Sequence, residues 1–175
     1  MPVTTTPHVM TRVDVRTGIP FEQFRAAFER AAPRFDPVPF QRIADSGGSW
    51  PDVQDAAAAM APHQLMVYAV IDATELLALA GHRTAAVEYL LGNHVIAESM
   101  FRHDPHALLY APLRVLVYSD STGDAVWSMD RPSDAFAGLG HDEITAVGLG
   151  LDAKVAALLR AIGVDADAGF ISRSA

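Results

Sequence analysis

Along the chain, apolar positions fall into short runs whose spacing alternates between two periods. From His8 to Arg16, Val9, Val13 and Val15 sit among polar residues, the pattern of a strand with one wet face. Gly18-Ile19-Pro20 reads as a turn. Phe21, Phe24, Phe28 and Ala31 then recur at i, i+3, i+7 and i+10, which predicts an amphipathic helix ended by Pro33. Between Pro33 and Trp50, three prolines and Ser46-Gly47-Gly48-Ser49 predict a long irregular connection. Ser49 is placed to cap a second helix, with Pro51 and Asp52 in its first turn and an alanine run to Met60. Pro62 stops it.

Gln64 to Asp72, with Val67, Tyr68, Val70 and Ile71, reads as a central strand. A short helix follows over Thr74 to Ala80, closed by Gly81. Thr84 to Leu91 is ambiguous: its alanines and leucines favour helix, while Val87 and Tyr89 alternate as in a strand. We read it as a strand, in part from the resemblance described below. Asn93 is a good cap for a helix from His94 to about Arg102, ended by His103-Asp104-Pro105. Leu113 to Tyr118 and Ala125 to Met129 flank a turn-rich segment, Ser119 to Asp124, and predict a hairpin. A short helix over Pro132 to Phe136 and an amphipathic one over Leu151 to Ile162 complete the order, with a weakly structured tail after Gly163. This order predicts an α+β two-layer sandwich, a largely antiparallel sheet of about five strands with helices on one face. A single domain is expected over residues 1–175, with 1–7 and 164–175 as frayed tails.

Composition narrows the function classes. Thirteen Lys and Arg against 21 Asp and Glu give a formal charge of -8, and Lys154 is the sole lysine. No basic stripe exists to hold phosphates, so nucleic acid is not an expected partner. Without cysteine, thiolate metal sites, disulfides and a cysteine nucleophile are excluded. The apolar runs Leu65 to Ile71 and Leu113 to Tyr118 fall well short of the ~20 residues of a spanning helix, so no membrane partner is expected. The first seven residues carry neither a basic region nor an apolar run, and cytoplasmic residence is the expectation.

The stretches Tyr89-Leu90-Leu91-Gly92-Asn93-His94, Tyr110-Ala111-Pro112-Leu113-Arg114-Val115-Leu116-Val117-Tyr118 and Asp130-Arg131-Pro132-Ser133 resemble the domain-of-unknown-function family 302. Members of that family carry Gly-Asn-Pro after a strand, Leu-Pro or Ala-Pro before a strand, and an Asp-x-Pro-Ser-like turn after a hairpin. The resemblance spans Gln64 to Ile162. It implies a compact α+β fold, often paired as homodimers, with no catalytic residue to carry over. His94 stands where the family pattern has proline.

Four groups of residues are candidates for chemistry. The first is Asn93 with His94 and Glu98, the last two one helical turn apart, as an anion site or an acid–base pair. The competing reading is an ordinary turn and cap. The second is His94, His103 and His106, with His82 near in sequence, as ligands for a divalent metal, or a lone His for haem. Nine residues between His94 and His103 place them ~180° apart around a helix, which argues against a shared ion. The third is the turn Asp130, Arg131, Ser133, able to orient a polar ligand or simply to cap a helix. The fourth is the apolar set Met66, Tyr68, Tyr89, Met100, Phe101, Tyr110 and Trp127, either a ligand cavity or plain core. Nucleotide-binding glycine loops, His-Glu-x-x-His and Gly-x-Ser-x-Gly are missing. Together these readings predict a small-molecule pocket near the helix after Asn93. Its polar rim would be His94, Asp130, Arg131 and Ser133, and its apolar wall Tyr89, Tyr110 and Trp127. His94 would act as acid or base, polarised by Glu98; no cofactor is required. The alternatives are a non-catalytic homodimeric interaction domain and a haem- or metal-binding protein.

Overall fold

A computed structural model describes residues 1–170. The chain builds one five-stranded antiparallel sheet in the order β1-β5-β4-β3-β2. The strands are β1 (Arg12–Pro20), β2 (Met66–Asp72), β3 (Ala86–Gly92), β4 (Leu113–Ser119) and β5 (Asp124–Asp130). The helices are α1 (Phe21–Ala31), α2 (Val38–Asp45), α3 (Trp50–Met60), α4 (Thr74–Ala78), α5 (His94–Phe101), α6 (Pro132–Ala137), α7 (Asp142–Ala161) and α8 (Asp167–Phe170), with a 3-10 turn over Pro105–Leu109. The α+β sandwich predicted from the residue pattern is the fold observed.

Alternation along the strands sorts the two faces of the sheet. Val87, Tyr89 and Leu91 of β3, Leu113, Val115 and Val117 of β4, and Trp127 and Met129 of β5 are buried under helices. The phenylalanines of α1 reach this face, with the Phe28 and Tyr89 rings 5.1 Å apart edge to face. Leu151, Val155, Leu158 and Leu159 of α7 fill the same core. The intervening residues point to the opposite face, where Met66 packs against Ala57 of α3 and several others are exposed. There Ile71 stands beside Glu88, Glu88 beside Leu116, and Arg114 pairs with Glu88 at 3.0 Å. Ile71 and Leu116 are 54% and 40% exposed.

Four elements differ from the sequence pattern. Strand β1 runs through Gly18-Ile19-Pro20 instead of turning there. Gly18 takes a φ of 64°, which a glycine adopts without steric cost, and the resulting register shift lets Pro20 still pair with Asp124. The connection after Pro33 contains α2, because Pro39 falls in its first turn, where the missing N–H costs nothing. Helix α7 begins at Asp142, not Leu151; Gly148 and Gly150 mask its start, and Gly148 is there for packing. A Cβ at Gly148 would lie 3.1 Å from both Phe136 Cβ and Ser133 Cα of α6. Finally, the segment after Gly163 is not a loose tail as far as Phe170: α8 buries Phe170, with its ring 5.8 Å from that of Trp127. Residues 171–175 of the expected tail lie outside the described residues.

Candidate functional site

The site is built where β3 runs into α5. Asn93 leaves the strand in an extended conformation and caps α5, its Oδ1 accepting the Val95 N–H at 2.9 Å. Its amide Nδ2 donates to the carbonyl of Gln64 at 3.0 Å, tying the cap to the start of β2. His94 opens the helix. On the neighbouring strand, Val67 pairs with Leu91 and Ala69 with Leu90, which leaves Tyr68 as the extra residue of a β-bulge. A bulge re-aims a side chain. Here Tyr68 meets His94, its hydroxyl 3.0 Å from Nδ1.

Three rings surround the imidazole. Phe35, Phe40 and Tyr68 lie 4.7, 4.9 and 5.1 Å from it, each nearly perpendicular. Phe35 is held there by the edge of β2, because its N–H donates to the Val67 carbonyl while Val67 N–H donates to Pro33. Beneath them, Ala57, Ala61 and Met66 form a second small core between α3 and β2. Burial among these groups lowers the His94 pKa below its usual 6.5, so the ring is neutral at physiological pH. The same burial pushes the Tyr68 hydroxyl up to about 12.

Tyr68 and His94 form the polar end of a depression of about 250 Å³, whose other lining residues are Gly92, Asn93, Ala97, Leu108, Ala111 and Pro112. Gly92 is its floor. A Cβ there would meet the Tyr68 ring and Pro112 at 3.4 Å. None of the lining residues carries a formal charge.

The residues expected to share one rim are divided. Tyr110 and Asp130 line a neighbouring depression of about 290 Å³, which shares Pro112 with the first. Arg131 is engaged by Asp134 at 2.9 Å. Ser133 is buried, and its N–H donates to the Asp152 carboxylate at 3.0 Å. Tyr89 and Trp127 are core residues, not pocket walls: both are fully buried, and the Tyr89 hydroxyl donates to Glu29 at 2.8 Å. Strand alternation explains this, since both point to the helix-covered face. Glu98 pairs with Arg102, one turn further along α5, and the group hydrogen-bonded to His94 is Tyr68. His106 bonds Asp104 at 2.7 Å, away from His94. Among the described residues, no three or more His, Asp or Glu side chains are grouped to hold a metal ion.

Sequence reasoning placed Tyr68 among the apolar residues but not as the partner of His94, and it missed Phe35 and Phe40. The signal available was weak: Phe35 and Phe40 flank Pro37 and Pro39, a segment that reads as loop.

Fold and site together describe an α+β sandwich with a small apolar depression at a strand-to-helix junction. A family model described as "Domain of unknown function DUF302" matches residues 52–162, and the chain belongs to that family. The matched region begins at Asp52 in α3 rather than at Gln64, so it takes in most of that helix but not its Ser49 cap. Among solved structures, the crystal structure of an uncharacterized conserved protein DUF302 from Bacillus stearothermophilus is similar, with a TM-score of 0.58 at 15% identity. The likeness covers 87% of this chain and 97% of that one, and it shows the shared fold. No curated protein matches the chain at a significant level. Among the described residues, no helix is long and apolar enough to cross a membrane.

Proposed function

We propose that this domain binds a small, largely apolar molecule in the depression at the start of α5, with the Tyr68–His94 pair as its polar anchor. The observation that carries this reading is the pair itself: two hydrogen-bonded polar groups at the end of a largely apolar wall. Ligand sites combine apolar lining with a few placed polar groups in this way. The volume suits a single substituted ring, since an apolar cavity of about 150 Å³ already holds benzene. Should the site be catalytic, neutral His94 would be its acid or base, oriented by Tyr68 in place of Glu98.

Small ring compounds added to isotopically labelled protein test this. Shifts of the Gly92, Asn93, His94 and Ala97 amides are expected in the wild type, and none in Gly92→Val, whose side chain fills the floor. Equal shifts in both proteins, or none in either, would overturn the reading.

A second reading, a homodimer, is favoured by the apolar residues exposed on the other face of the sheet, Ile71 and Leu116 on either side of Glu88. Burying such apolar side chains against a second copy is favourable. Light scattering decides it: a dimer that Leu116→Glu converts to monomer supports this reading, and a wild-type monomer ends it.

A further inference from the structure

The hydrogen-bonding capacity of the depression narrows the class of ligand it takes, an argument that rests on the binding function proposed above. Three lining residues are polar: Tyr68, Asn93 and His94. Asn93 is half used, its oxygen accepting the Val95 N–H and one amide hydrogen going to the Gln64 carbonyl, which leaves it one donor and one acceptor. The other polar side chains are the Tyr68–His94 pair.

A neutral imidazole has one donor and one acceptor, and a phenol has one donor and two lone pairs. Their mutual bond uses one donor and one acceptor, whichever way it runs. With the proton on Nε2, Tyr68 donates to Nδ1, leaving Nε2–H free to donate and the phenol oxygen free to accept. With the proton on Nδ1, that group donates to the phenol oxygen. Then Nε2 accepts and the Tyr68 O–H donates. In both tautomers the pair therefore keeps one donor and one acceptor.

Among ligand head groups, a hydroxyl matches this set in both tautomers, because it also donates once and accepts. A carboxylate only accepts and an ammonium only donates, so each leaves half the pair unmet. Charge works against both as well. No Lys, Arg, Asp or Glu lines the depression. The nearest charges along α5, Glu98 and Arg102, neutralise one another. An ion entering would lose hydration without gaining a counter-charge. A helix N-terminus often attracts anions, but here the Asn93 side chain already takes the Val95 N–H.

We infer that the depression selects neutral, single-ring molecules carrying a hydroxyl, such as phenols or cyclic alcohols, over carboxylates, amines and plain hydrocarbons of the same size.

The test compares 4-methylphenol, toluene, 4-methylbenzoate and 4-methylbenzylamine by titration into labelled full-length protein at pH 7.5. The phenol is expected to bind at least about fivefold more tightly than toluene, the scale of one satisfied hydrogen bond. The two ions are expected to bind more weakly still. In Tyr68→Phe, which keeps the ring and its packing, the phenol's advantage over toluene should shrink while toluene binds as before. Toluene, the benzoate or the amine binding as tightly as the phenol would overturn the inference and leave a binding pocket standing. An undiminished preference in Tyr68→Phe would overturn it too. Binding of none of the four, with no shifts at Gly92 or His94, would remove the pocket reading along with it.

Discussion

The hydroxyl of Tyr68 and Nδ1 of His94 meet at 3.0 Å across 26 residues of chain, joining a bulged edge strand to the first residue of a capped helix. The contact depends on two local devices at once. The bulge turns Tyr68 toward α5, and the Asn93 cap fixes where α5 begins.

Because burial lowers the His94 pKa, this ring takes up its proton at lower pH in the folded chain than in the unfolded one. As pH falls below the unfolded value near 6.5, the unfolded state therefore binds the additional proton first, and stability declines until the folded pKa is reached. Proton titration followed on the His94 ring should give a midpoint below 6.5. Urea unfolding of His94→Gln should lose less stability than the wild type between pH 7 and pH 5. A wild-type midpoint at or above 6.5 would contradict the buried, neutral ring.

Asp152 presents the opposite case. This α7 carboxyl is 2% exposed, and burial raises its pKa above the usual 3.8 although it accepts the Ser133 N–H. The unfolded chain thus releases the proton more readily, so stability falls as pH rises from the unfolded pKa to the folded one. Asp152→Asn keeps an acceptor for Ser133 and removes the charge. It is expected to match or exceed wild-type stability at pH 7. Asp152→Leu leaves the Ser133 N–H unmet and should cost about 1–3 kcal/mol by chemical denaturation. Equal losses in both variants would show that the carboxylate itself is needed.

Two glycines of α7 should respond in opposite directions to alanine. At Gly150 the nearest atom to an added Cβ is the mobile Lys154 Nζ at 3.8 Å, so Gly150→Ala should add about 0.5–1 kcal/mol through helix propensity. At Gly148 the Cβ would press on Phe136 and on the Ser133 backbone at 3.1 Å. Gly148→Ala is therefore expected to cost about 1–3 kcal/mol. Midpoints of urea unfolding for the two variants, measured side by side, check the sign of each. Stabilisation by both would mean that α6 is free to move away.

Much of the fold is legible in the residues because its signals are local. The phenylalanine spacing of α1, the Ser49 and Asn93 caps and the hairpin turn between β4 and β5 each lie within a few residues, and each forms as predicted. Helix α2 and the first half of α7 were less readable. The prolines of α2 suit its first turn but read equally well as loop, while the glycines of α7 argue locally against helix and the packing of Gly148 on α6 outweighs that preference.

The candidate site divides along the same line. Asn93 and His94 are marked by their place between a strand pattern and a helix pattern, so their importance at that junction follows from sequence alone. The partners of His94 do not. Tyr68, Phe35 and Phe40 come from segments 26 or more residues away, and a single-residue bulge decides which way Tyr68 faces. Tyr89 and Trp127, chemically just as suited to line a pocket, are withdrawn into the core by strand alternation on the helix-covered face. Local periodicity thus determined most of the elements, and composition the acidic, cysteine-free character of the chain. Strand register and helix packing, which depend on contacts between distant segments, decided which side chains meet.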